Sequence, residues 1–150
     1  MMFSGTVSKK CRYALRAIFE LAWRGSNDPV KIQEIALAQA IPPRFLEVIL
    51  AELKHGGFVR SIRGSKGGYV LARPAHRLTV GEVIAFFGGE QPQTSTDSFR
   101  VSGLTGDYAF SKMWQQATAA VSDVYDQTTF ADLIQDEMLK RKNYVPDYAI

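Results

Sequence analysis

Between Phe58 and Leu71 the chain reads Phe-Val-Arg-Ser-Ile, then Arg-Gly-Ser-Lys-Gly-Gly, then Tyr-Val-Leu. Two short β-branched and aromatic runs around a glycine-rich turn predict a β-hairpin, with strands at Phe58–Ile62 and Tyr69–Leu71. A lone two-stranded hairpin is marginal in water, so it has to lie on something, and what precedes it is helical. Ser8 reads as an N-cap. After it Cys11, Ala14, Leu15, Ile18, Leu21 and Ala22 share one helical face. Gly25-Ser26-Asn27-Asp28-Pro29 closes that helix. A second helix, about Lys31 to Gln39, turns Ile32, Ile35 and Ala36 inward. Ala40-Ile41-Pro42 is a tight break, and Pro42 and Pro43 suit the first turn of a third helix, where a missing N–H costs nothing. Leu46, Ile49, Leu50 and Leu53 form its apolar stripe, and Gly56-Gly57 stops it. Helix, helix, tight turn, helix and basic hairpin is the order of a winged helix-turn-helix. The expected class is mainly α with a small β-hairpin wing.

The rest of the chain adds a different element. Thr79-Val80-Gly81-Glu82 has capping-box spacing and opens a short helix to Phe87. Gly88 to about Gly103 is poor in apolar residues and reads as a loop. From Asp107 a long helix carries Phe110, Met113, Trp114, Ala117, Val121, Val124 and Tyr125 at helical spacing. Thr129 to Asp132 forms another capping box, opening a last helix with Leu133 and Ile134. The tail from Lys140 is expected to be poorly ordered. The expected division is therefore 1–87 for DNA binding, 88–104 as a flexible loop, 105–140 for the long helix and a short terminal helix, and 141–150 as tail. A small domain cannot easily bury the whole long-helix stripe, so those seven residues predict a dimerisation surface for a second copy. The alternative is that the helix folds back on its own domain.

Charge points to the partner. Residues 1–77 carry 13 Lys/Arg against 5 Asp/Glu, a balance of +8. Residues 78–150 carry 5 against 10, a balance of −5, and the two halves recover the net +3. A basic half beside an acidic half suggests one surface that faces a polyanion. In a helix-turn-helix the start of the third helix reaches base edges in the major groove. Here that start holds Pro43, Arg44, Phe45, Glu47 and Val48. Arg44 can give two parallel hydrogen bonds to guanine, Glu47 can accept from cytosine, and Phe45 or Val48 can meet a thymine methyl. In the hairpin, Arg60, Arg63, Ser65, Lys66 and Arg73 gather around Gly64, Gly67 and Gly68. Glycines permit close backbone approach, and arginine favours narrow minor grooves. Lys9, Lys10, Arg12 and Tyr13, at the first helix's start, are placed to hold phosphates. A solvated basic surface is the plainer alternative for each group. A nucleotide phosphate loop is not, because the Gly-x-x-x-x-Gly-Lys-Ser/Thr spacing is missing and this loop joins two strands.

Other classes are excluded on composition and spacing. No apolar run approaches the ~20 residues needed to span a bilayer. Met1 to Lys10 lacks a signal peptide's apolar core, so a cytoplasmic protein with no membrane partner is expected. One cysteine cannot make an internal disulfide or a multi-thiolate zinc site. His55 and His76 have no metal-ligand spacing, so no metal site is expected. Nothing identifies a nucleophile with its base, and no enzyme is expected.

Lys10 to Leu15, Phe45-Leu46-Glu47, and Val59 to Leu71 with its Arg63-Gly64-Ser65-Lys66-Gly67-Gly68-Tyr69 core together resemble the Rrf2 family of winged-helix regulators. Leu78 to Ile84, Trp114 and Thr129 to Leu133 match its later blocks, so the resemblance spans nearly all of residues 7–137. It implies a homodimer crossed through the long helix, bound to a partly palindromic double-stranded DNA operator and usually repressing. Arg12 and Tyr13 match the family's DNA-facing pair. Glu47 matches the glutamate with which iron–sulfur members choose between operator classes, and Arg63 the wing arginine that enters the minor groove. Arg44 and Val48 stand where those members carry serine and glutamine, which implies a different base preference.

The departure from the family pattern concerns iron. Cluster-bearing members place three cysteines in the loop and at the start of the long helix. Here residues 88–103 hold no cysteine, the third cysteine position falls on Tyr108, and the position of a histidine ligand falls on Ser111. A cluster needs thiolates, so a cluster-less member without cofactor is expected. The signal it senses stays open. Cys11, beside Lys10 and Arg12 at a helix N-terminus, is a candidate redox thiol, the alternative being a small buried core residue in phase with Ala14 and Leu15. Phe86, Phe87, Phe110 and Trp114 are candidates to line a small-molecule pocket, or plain core. A third reading is an interaction module that docks a metabolic enzyme or another regulator through the acidic half.

Overall fold

The computed structural model describes residues 7–88 and 103–143. Three helices come first: α1 (Lys9–Arg24), α2 (Ile32–Gln39) and α3 (Pro43–His55). A hairpin of β1 (Val59–Ile62) and β2 (Gly68–Leu71) follows, antiparallel, with Val59 opposite Leu71 and Ile62 opposite Gly68. A 3₁₀ turn (Ala75–Arg77) leads to α4 (Val80–Phe86), then α5 (Asp107–Gln127) and α6 (Phe130–Lys142). This is the winged helix-turn-helix order, mostly helical.

The expected stripes form the core. Cys11, Ala14, Ile18 and Leu21 of α1 meet Ile35 of α2, with Leu46, Ile49, Leu50 and Leu53 of α3 in the same cluster. Ser8 caps α1, its hydroxyl accepting from the Cys11 N–H at 3.1 Å. Both predicted capping boxes close. Thr79 and Glu82 bond reciprocally at 3.2 and 3.3 Å, Thr129 and Asp132 at 3.1 and 3.0 Å. The stop after α3 divides its work between two glycines. Gly57 takes the left-handed conformation, while the Phe58 and Gly57 N–H groups return to the Leu53 and Lys54 carbonyls. Gly56 is not left-handed; a Cβ there would meet the Phe86 ring at 2.8 Å.

The terminal helix of the expected 105–140 segment is α6. α6 is no appendage of the long helix. It packs on α1, and Phe130, fully buried, belongs to the same core as the winged domain. The helix also continues to Lys142 rather than giving way at Lys140, as three basic residues in its last turn complement the helix dipole. Of the expected loop, residues 89–102 lie outside the described residues, as do residues 144–150 of the tail.

α5 stands apart. None of its residues is buried, and its packing is against α4. The predicted stripe splits lengthwise. Trp114, Ala117, Val121 and Tyr125 are half-buried, while Phe110, Met113 and Val124 are 60%, 44% and 62% exposed.

Candidate DNA-binding surface

α3 is held by its apolar stripe, which leaves the opposite side of its first turns in solvent. Pro42 is its N-cap and Pro43 its first residue. Arg44, Phe45, Glu47 and Val48 are all exposed, the two apolar ones by 61% and 53%. Two exposed apolar side chains alternating with an arginine and a glutamate make a surface that can read methyl groups and hydrogen-bonding edges together.

The orientation of α2 against α1 rests on a residue that sequence reasoning missed. Glu20 is buried, and its carboxylate accepts from Arg24 Nε at 2.8 Å and Gln39 Nε2 at 2.9 Å. Arg24 also reaches Glu34 at 3.9 Å. A buried carboxylate is tolerated when hydrogen-bonded in this way. The available signal was Arg24 four residues after Glu20 on the same helix face.

The wing is fastened through the turn-side half of β2, since Tyr69 stands opposite Ser61, one pair from the turn. The Val30 and Tyr69 N–H groups donate to each other's carbonyls at 3.0 and 2.8 Å, joining the α1–α2 loop to β2. Arg63, Ser65 and Lys66 in the turn beyond it are exposed, as is Arg60 opposite Val70, nearer the hairpin's base. Among the described residues, Arg12, Arg44, Arg60, Arg63 and Lys66 form no ion pair, so their charge is uncompensated on the protein side.

Several of the expected site residues make contacts within the chain. Gly67 and Gly68 are packed against the chain's own backbone on the side where a Cβ would stand. A Cβ on Gly67 would meet the Ile62 carbonyl at 2.0 Å, and one on Gly68 the Val30 carbonyl at 2.4 Å, so the chain itself occupies those approaches. Gly64, at φ +112°, is the tip glycine with open space around it. Arg73 does not join the tip. It follows β2, at the hairpin's base, where it pairs with Glu82 at 3.1 Å and lies over the Phe58 ring at 5.6 Å. Lys10 is exposed but paired with Glu52 of α3, while Tyr13 is half-buried beneath Lys9. Cys11 is fully buried, and desolvation pushes its thiol up to about 11. Burial thus outweighs the helix N-terminus and neighbouring cations, which favours the alternative of a small buried core residue.

Phe86 meets Phe87 and Phe58 in edge-to-face contacts at 5.1 and 5.3 Å. Those contacts make them packing residues rather than a free pocket wall. The single thiol of the chain is buried in α1, Tyr108 and Ser111 are exposed, and no group of three His, Cys, Asp or Glu able to hold a metal occurs among the described residues. These residues do not fit an iron–sulfur cluster. No helix among the described residues is long and apolar enough to cross a membrane.

Residues 7–136 match the model of the family described as "Rrf2: Iron-dependent Transcriptional regulator". The chain belongs to the Rrf2 family. This Rrf2 protein is 32% identical over 137 residues to the transcriptional regulator IscR of Cereibacter sphaeroides, covering 88% of each chain. It is 32% identical over 127 residues to CymR of Bacillus subtilis, covering 85% of this chain and 88% of that one. The solved structure of B. subtilis CymR, titled a global cysteine regulator, superposes with a TM-score of 0.76 at 30% identity, covering 90% of this chain and 98% of that one. The structure of T. potens IscR gives 0.71 at 28% identity, covering 95% and 94%. The winged-helix fold is shared, and the Rrf2 protein is a transcriptional regulator, not an enzyme.

Proposed function

We propose that this Rrf2 protein is a cytoplasmic homodimeric repressor that reads a two-fold-related operator without an intrinsic iron–sulfur cluster. One observation carries the reading: the exposed row Arg44, Phe45, Glu47 and Val48 on α3, with the exposed wing cations Arg60, Arg63 and Lys66, which form no ion pair among the described residues. The row supplies base contacts, and the wing supplies phosphate and minor-groove contacts. Dimerisation is supported by the exposed half of the α5 stripe, Phe110, Met113 and Val124, which the protomer leaves in water. The cluster-less part is supported by the donor set, one buried thiol against a chemistry that needs several.

The test is a binding profile across all single base changes of the selected operator. Arg44→Ala relaxes discrimination at one base pair per half-site by about 1–3 kcal/mol. Arg63→Ala lowers affinity for every duplex and flattens the salt dependence by about one phosphate contact. Profiles that match the unsubstituted protein for both variants would remove these residues from the interface.

A further inference from the structure

The elbow between α5 and α6 is fastened to the segment that opens α4. Thr79 and Thr129 face each other in an antiparallel bridge. The Val80 N–H donates to the Thr128 carbonyl at 2.9 Å, and the Phe130 N–H to the Leu78 carbonyl at 3.0 Å. Each threonine also caps the helix that follows it. Just beyond the bridge α4 and α5 touch at Gly81. A Cβ there would meet Asp126 Oδ1 at 2.1 Å and the Asp126 Cα at 3.1 Å. Gly81 is buried within a regular helix, so its requirement for glycine is one of space.

We infer that Gly81 is a positioning residue: with the Thr79–Thr129 clasp it sets the angle at which α5 leaves the winged domain, and through it the base-pair spacing between two half-sites. The inference rests on the dimer reading above. Geometry gives it leverage. The 21 residues of α5 span ~31 Å at ~1.5 Å per residue. A tilt of ~10° therefore carries the far end ~5 Å, more than the ~3.4 Å between successive base pairs. Asp126 lies in the last turn of α5, so the contact acts at the end nearest the winged domain and its effect grows along the helix. Packed contacts of this kind transmit strain rather than absorb it.

The test uses the full-length protein and the variants Gly81→Ala, Asp126→Ala, the double variant, and Thr129→Ala. Each is sized by analytical ultracentrifugation. Each is then titrated with a duplex carrying one half-site, and with duplexes carrying two inverted half-sites whose spacers differ by single base pairs. Gly81→Ala is expected to remain dimeric and to bind the single half-site within about twofold of wild type, yet to lose about tenfold at the wild-type spacing. Its best spacing moves by at least one base pair. Asp126→Ala keeps the wild-type spacing. The double variant returns to it, because Oδ1 is gone and the remaining contact needs only a small adjustment. Thr129→Ala removes the hydroxyl that caps α6 directly after the clasp, without added bulk; the start of α6 that the clasp holds is weakened, so the preference among spacings flattens even if Gly81→Ala does not fold. Unchanged spacing preferences in the variants would overturn the inference. A wild-type monomer, or wild-type DNA binding with no paired half-sites, would overturn the dimer reading and this inference with it.

Discussion

Cys11 shows at the residue scale how one environment overrules another. Its position beside Lys10 and Arg12 at a helix start favours a thiolate. Its side chain, however, faces the core with Ala14 and Ile18, and desolvation raises the thiol from 9.0 to about 11. The thiolate is then about one part in ten thousand at pH 7. A thiol-specific reagent is expected to modify the native protein only as fast as the protein opens. The sign of the pH effect follows. The folded value lies above the unfolded one, so the unfolded chain releases its proton first as pH rises. Stability therefore falls between pH 9 and about 11. Urea melts across that range should show this fall in the wild type and a smaller one in Cys11→Ala; equal slopes would contradict it. At this scale the polar row of α3 and the basic tip were legible because both follow from apolar phase and local composition. The roles of Gly67, Gly68 and Arg73 were not, because they depend on Val30, Ile62 and Glu82, which only the folded chain brings near.

At the scale of elements, boundaries followed from caps and prolines: Ser8, Pro43, Thr79 and Thr129 each start the helix their chemistry suits. The turn between α2 and α3 is less comfortable. Ala40 sits at φ 52°, with the Ile41 N–H reaching back to the Ala36 carbonyl at 3.0 Å. A left-handed residue with a Cβ costs about 1–2 kcal/mol, of which a glycine's greater unfolded freedom returns part. Ala40→Gly is expected to stabilise the protein by about 0.5–1 kcal/mol, read as a higher midpoint in thermal melts. A lower midpoint would mean that the alanine methyl contributes packing that outweighs the strain. The burial of Phe130 had no periodic signal of its own. It is one residue after a cap, and its place in the core is decided by the bridge between Thr79 and Thr129.

At the scale of the whole molecule, the uneven charge and the uncovered half of α5 belong to one design. The basic half supplies the exposed arginines of α3 and the wing, and α5 leaves an apolar edge exposed. Two copies joined along α5 would present two reading surfaces to one duplex, and two-fold symmetry in the protein requires it in the operator. Phe110, Met113 and Val124 were recognisable as a stripe from spacing alone, but which edge of that stripe stays uncovered depends on how α4 packs on α5. The most direct measurement is selection from random duplexes by the purified protein at near-physiological salt, followed by sequencing. The account predicts enrichment of one motif with two inverted half-sites. Binding that is indifferent to sequence and vanishes as salt rises, or enrichment of single unpaired sites, would contradict it.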